Sequence, residues 1–149
     1  FFYCKKNKFN FWKFADRAII GVSFAAGCVR IGNFLNSEIV GKITTLPWAI
    51  KFQGHNDYRH PSQLYEAAKN FFISSLLYKI YYIKNLKLPN GFIYWLFVFL
   101  FSILRFFTEF FKEYLIYEQG LTMGQRLSLG LSIISGIILI WLWKKRPFD

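Results

Sequence analysis

The stretch "AIIGVSFAAGCVRIGNFLNSEIVG", residues 18–41, decides the fold. Its first half is apolar without the polar positions of a water-facing helix. Its second half carries Arg30, Asn33, Asn36, Glu38, Gly32 and Gly41 within a dozen residues. A run of this kind reads as a helix that crosses a bilayer and ends in polar chemistry. Three more runs share its character. The four expected spans are roughly 14–34, 64–83, 91–111 and 127–143, each of 17 to 21 residues, near the ~20 that cover a hydrocarbon core. The second span is interrupted by Lys69 and Lys79, whose stems are expected to snorkel toward an interface.

Composition agrees. Of 149 residues, 54% are hydrophobic and 22% aromatic, with 19 Phe. A water-soluble domain of this size has no interior for so much apolar surface. The fold class is therefore all-α, a polytopic helical integral membrane protein. The chain opens on "FFYC" and its one Met is Met123. It reads as a fragment, or a mature piece, that starts inside or just after an apolar segment, with residues 1–149 as part of a single transmembrane domain and a polar segment at about 37–63. Cys4 and Cys28 form no CxxC pattern and read as small apolar residues. No metal site and no cofactor are expected.

The net charge is +11. In a soluble chain that would point to nucleic acid, but no nucleic-acid motif accompanies it. The basic residues lie in blocks between spans. Segments 4–13, 84–90 and 144–149 hold nine (Lys5, Lys6, Lys8, Lys13, Lys84, Lys87, Lys144, Lys145 and Arg146) against one acid, Asp149. The other two connections hold five basic and four acidic residues. The excess alternates with the spans and places the basic segments and the C-terminus in the cytoplasm. The polar blocks then gather at the outer face, with Trp48, Tyr58, Tyr65, Tyr114 and Tyr117 as an aromatic belt.

Within those blocks Arg30 has two readings, a snorkelling interface residue or an anion site. A guanidinium fork suits phosphate oxygens, and Asn33 lies one helical turn away. Arg105, Glu109 and Lys112 stand at i, i+4 and i+7 of the third span. They are either a structural ion pair or a functional one in which Glu109 holds Arg105 toward an anion. In "RHPSQLYEA" (59–67), Pro61 and Ser62 mark a helix start. His60 is either a proton carrier or a hydrogen-bonded interface histidine. "GLTMGQRLS" (120–128) reads as a turn and helix cap at Thr122 or Ser128. No GxSxG, HExxH or Walker loop is present.

Taken together, "RIGNFLNSEIVG" (30–41), "RHPSQLYEA", "RFFTEF" (105–110) and "LTMGQRLS" (121–128) resemble, in order, the blocks of the prolipoprotein diacylglyceryl transferase family. Asp16 also fits. The resemblance implies a bacterial enzyme of the cytoplasmic (inner) membrane with its site toward the outer face. It implies transfer of the diacylglyceryl group of phosphatidylglycerol to the lipobox cysteine of a preprolipoprotein, with glycerol 1-phosphate leaving. The expected partners are phosphatidylglycerol, preprolipoproteins and the bilayer. Arg105, Glu109 and His60 become candidate catalytic residues. Arg30, Asn33, Asn36, Glu38 and Gly41 become candidate lipid-binding residues.

The sequence departs from the family pattern at four positions. Val29 stands where Gly is usual, Ser37 where Gly is common, Phe101 where a tyrosine is usual, and Lys112 where arginine is usual. The family's His-Gly-Gly block, which supplies the histidine most often proposed as base, is not in the chain. This leaves the activity of the stretch by itself open. The competing readings are a transporter or channel for a small anion, which would show repeats or broken spans, and a non-catalytic membrane scaffold.

Overall fold

A computed structural model describes residues 9–82, 86–113 and 120–145. The described residues form four α-helices: α1 (Phe11–Leu35), α2 (Ser62–Tyr82), α3 (Phe92–Thr108) and α4 (Met123–Lys144). A single 3-10 turn, Glu109–Phe111, extends α3. The chain is thus the polytopic helical membrane protein that its apolar runs predict. α1, the α3 unit through Phe111 and α4 are long and apolar enough to cross a membrane. α2 is long enough but too polar for that description, because of the side chains it turns inward.

α1 packs on α2 and α3 packs on α4, while α3 also meets α1 and α2. Apolar burial between helices contributes little when lipid surrounds them, so small residues and hydroxyls make the contacts. Ser23 Oγ donates to the Asn70 carbonyl (3.0 Å) and Ser74 Oγ to the Ile20 carbonyl (2.9 Å). Gly27 lets the Phe71 ring lie where a Cβ would be, 2.6 Å away. The small apolar core is Ile73, Leu77 and Ile93. Large side chains such as Phe24, Phe72, Ile133 and Ile137 face outward, as a lipid-facing surface requires. Cys28 is a free, exposed thiol on α1.

Two polar devices fix the helix ends. Asp16, buried in α1, accepts from the backbone N–H of Gly91 (2.6 Å) and of Tyr94 (2.8 Å). A carboxylate from one helix thereby satisfies orphan donors at the start of another. Thr122 caps α4: its hydroxyl accepts from the Gln125 N–H (3.1 Å), and Gln125 returns a bond to the Thr122 N–H. Of the two caps open in the sequence, Thr122 is the one used.

Between α1 and α2 the chain is irregular and carries one short hairpin, β1 (Ile50–Lys51) paired antiparallel with β2 (Tyr58–Arg59). Ser37 (φ 56°) and Ile39 (φ 53°) sit in the left-handed region. That explains why glycine suits position 37. The expected residues Cys4, Lys5, Lys6, Lys8, Lys84, Tyr114, Tyr117, Glu118, Arg146 and Asp149 lie outside the described residues.

Candidate functional site

The four polar blocks meet at one end of the bundle. The stretch around Gly41 runs between 59–60 and 111–112: Gly41 N–H donates to the His60 carbonyl (3.1 Å) and Lys42 N–H to the Phe111 carbonyl (3.0 Å). Gly41 is there because nothing larger fits. A Cβ would stand 2.6 Å from both carbonyl oxygens. Arg59, buried, donates to the Gly41 carbonyl (3.2 Å) and pairs with Glu113. Gln63 donates to the Glu38 carbonyl (2.5 Å) and Ser62 to the Ile39 carbonyl (3.0 Å). The irregular backbone after α1 is therefore held by the first turn of α2, which meets the requirement that such backbone be paired inside protein.

Beneath this cover lies a cluster of charges. Arg30 Nε is 2.6 Å from Glu66 Oε2, and Lys112 Nζ is 2.5 Å from Glu66 Oε1. Lys112 Nζ also lies 3.4 Å from Glu109 Oε2. Lys69 is buried and sits over the Phe101 ring, 4.3 Å from its centroid. Glu66, Lys112, Arg105 and Arg30 all act electrostatically on Lys69. Four cations thus surround two carboxylates, a surplus of two positive charges inside a helix bundle. Buried charge of one sign is costly unless an anion answers it. Arg30 keeps more access than its ion-paired neighbours, with 29% of its side chain exposed against 12% for Lys112 and 5% for Glu66.

This arrangement corrects two expectations. Lys69 does not snorkel. α2 carries its polar stripe (Ser62, Gln63, Glu66, Lys69, Asn70) on the buried side and puts Phe72, Tyr78 and Tyr82 outside. Nor does Glu109 pair with Arg105. Glu109 keeps the α-helical backbone bond from its N–H to the Arg105 carbonyl, so the difference lies in where its side chain turns. Its carboxylate goes to the N-terminus of α4, where Thr122 Oγ1 donates to Oε1 (3.4 Å) and Gly124 leaves room for it. A carboxylate is favoured at that end of a helix.

The remaining candidates fall around the cluster. Asn33 accepts at its carbonyl from the Glu38 N–H (2.9 Å), and Asn36 is the C-cap of α1. The Asn36 and Glu38 side chains are exposed. His60 stacks edge-on against Phe111 and Tyr65, and its Nδ1 is 3.2 Å from the Tyr65 hydroxyl. Trp48 Nε1 donates to that same hydroxyl (2.9 Å). The Tyr65 hydroxyl thus joins Trp48 to the His60 ring. Burial, then the charge of Lys42, lowers the His60 pKa from the usual 6.5.

Sequence reasoning missed Lys69 and Glu66 as members of the site. The signal was their i, i+3 spacing directly after "RHPSQLY", which puts both on one helical face.

What such a cluster can do is hold a phosphate and stabilise charge building on it. Comparison with known proteins points the same way. The family model described as prolipoprotein diacylglyceryl transferase matches residues 1–142. A phosphatidylglycerol–prolipoprotein diacylglyceryl transferase from Aeromonas salmonicida is 37% identical over 150 residues, covering 97% of this chain and 54% of its own length. Proteins of the same name from Campylobacter lari and Bacteroides fragilis are 41% and 34% identical, covering 92% and 97% of this chain and 50% and 53% of theirs. The chain spans about half the length of the curated relatives it matches.

Proposed function

The chain belongs to the prolipoprotein diacylglyceryl transferase family, and on that premise we propose that the protein transfers the diacylglyceryl group of phosphatidylglycerol to the cysteine thiol of a preprolipoprotein. Glycerol 1-phosphate is the leaving product. The observation that carries this reading is the surplus of two cations in the cluster of Arg30, Glu66, Lys69, Arg105, Glu109 and Lys112.

The reaction needs a thiolate as nucleophile and an electropositive cradle for the leaving phosphate. Arg30, the most accessible cation of the four ion-paired side chains, receives the headgroup phosphate with its fork. Glu66 holds that fork in place. Arg105 and Lys112 complete the cluster, and Glu109, anchored on α4, sets the position of Lys112. His60, held by the Tyr65 hydroxyl at Nδ1, stands beside the cluster as the candidate proton carrier. The protein sits in the bacterial inner membrane with the cluster toward the outer face and the C-terminus in the cytoplasm. The alternating excess of Lys and Arg supports the orientation, and the family supports the choice of membrane.

The test is transfer of labelled diacylglyceryl from phosphatidylglycerol to a lipobox peptide by the full-length protein. Losing one charge-assisted contact costs about 1.5 to 3 kcal/mol. Arg30→Ala is therefore expected to lose most activity, and Arg30→Lys to keep a part because a point charge replaces the fork. Wild-type transfer by Arg30→Ala would remove Arg30 from the lipid site.

A further inference from the structure

Lys69 has no role in the scheme above, and its situation is unusual. It is 7% exposed, in the middle of the bundle. Both oxygens of Glu66 are engaged, one by Arg30 and one by Lys112. Glu109 is engaged by Lys112 and Thr122. Among the described residues no carboxylate lies within ion-pair distance of Lys69. Its close partner is the face of Phe101, and a cation–π contact contributes only about 0.5 to 2 kcal/mol. A buried ammonium with so little compensation is retained where something negative arrives.

The chemistry of the proposed reaction, on which this inference rests, says what arrives. Phosphatidylglycerol is a phosphodiester with one negative charge. When the thiolate sulfur attacks, an S–C bond forms to the diacylglycerol carbon. The C–O bond to phosphate breaks, and its electron pair stays on the phosphate oxygen. The thiol proton has left with the base or solvent. The phosphate becomes a monoester, and its charge grows from one to two. We infer that Lys69 supplies the positive charge that answers this second negative charge, so that the surplus of two in the cluster matches the product side of the reaction rather than the bound lipid. An interaction that strengthens as the bond breaks accelerates the chemical step instead of tightening substrate binding.

The experiment compares wild type, Lys69→Met and Lys69→Arg in the full-length protein, with phosphatidylglycerol vesicles and a lipobox peptide. Lys69→Met is expected to lower kcat roughly a hundredfold, with KM for phosphatidylglycerol changed by less than about twofold. Lys69→Arg is expected to restore much of kcat. Inhibition by inorganic phosphate should weaken about tenfold in Lys69→Met, the effect of one lost charged contact.

An unchanged kcat, or a loss confined to KM, overturns the inference. So does failure of Lys69→Met to insert, because removing an uncompensated buried charge should not harm the fold. If wild type itself transfers no diacylglyceryl group, the transferase reading fails instead. Direct phosphate binding to wild type and Lys69→Met then decides the role of Lys69, and equal affinities overturn it.

Discussion

Glu66 offers the sharpest test of the cluster. One carboxylate receives two cations, Arg30 at 2.6 Å and Lys112 at 2.5 Å, and its side chain is only 5% exposed. Glu66→Gln keeps the shape and removes the charge. The surplus of positive charge among Arg30, Lys69, Arg105, Lys112 and Glu109 then rises from two to three. Removing one partner of a buried pair destabilises by about 3 to 5 kcal/mol, because the other charge is left uncompensated. Here two cations lose the same partner, so the upper part of that range is expected. Lys112→Met in the same background brings the surplus back to two. The double variant should therefore be more stable than the sum of the single changes predicts, by about 1 to 3 kcal/mol. Reversible unfolding of the full-length protein in detergent gives all four corners of the cycle. Additivity within about 0.5 kcal/mol would refute the claim that the two side chains share one charge balance.

Three other outcomes follow from the geometry. Gly124→Ala should destabilise the protein, although alanine is ordinarily better than glycine in a helix by about 1 kcal/mol, because the new Cβ meets Glu109 Oε1 at 1.9 Å; in a Glu109→Ala background the sign should revert to the ordinary one. The lowered pKa of His60 means that the unfolded chain binds more protons as pH falls below 6.5, so stability should drop on acidification through that window and His60→Phe should flatten the profile measured by thermal unfolding. Cysteines placed at position 54 should react with an impermeant thiol reagent on intact spheroplasts while those at position 87 should not, and labelling at 87 would reverse the orientation.

The helices were legible because lipid as solvent demands continuous apolar runs, and α1, α3 and α4 supply them in plain order. α2 was harder. Its first turns point a polar stripe inward while Phe72, Tyr78 and Tyr82 face out, so Lys69 looked like a flaw in a span when it belongs to the buried charge cluster. The link between Arg105 and Glu109 failed because spacing fixes only the side of a helix: the carboxylate turns instead to Lys112 and to the start of α4. The destination of Glu109 depends on Gly124, a residue fifteen positions away whose importance is the absence of a side chain. Gly41 is similar: the sequence marks it as special, but only the approach of 60 and 111 shows why. The hairpin Ile50–Lys51 with Tyr58–Arg59 carries no periodic signal because each strand has two residues.

The bond from Asp16 to the start of α3 has a consequence for the far end of the molecule. α1 and α3 are tied together at one level, at Asp16 and Gly91. From Asp16 to Arg30 is fourteen residues, and from Gly91 to Arg105 is also fourteen. At 1.5 Å per residue, both helices climb about 21 Å from that tie. The two guanidiniums are thus delivered to the same depth in the bilayer by two equal rulers with a common zero. One residue inserted between positions 16 and 30 would lift Arg30 by about 1.5 Å and swing it by about 100° around its helix, taking it away from Glu66 while every side chain of the cluster remained present.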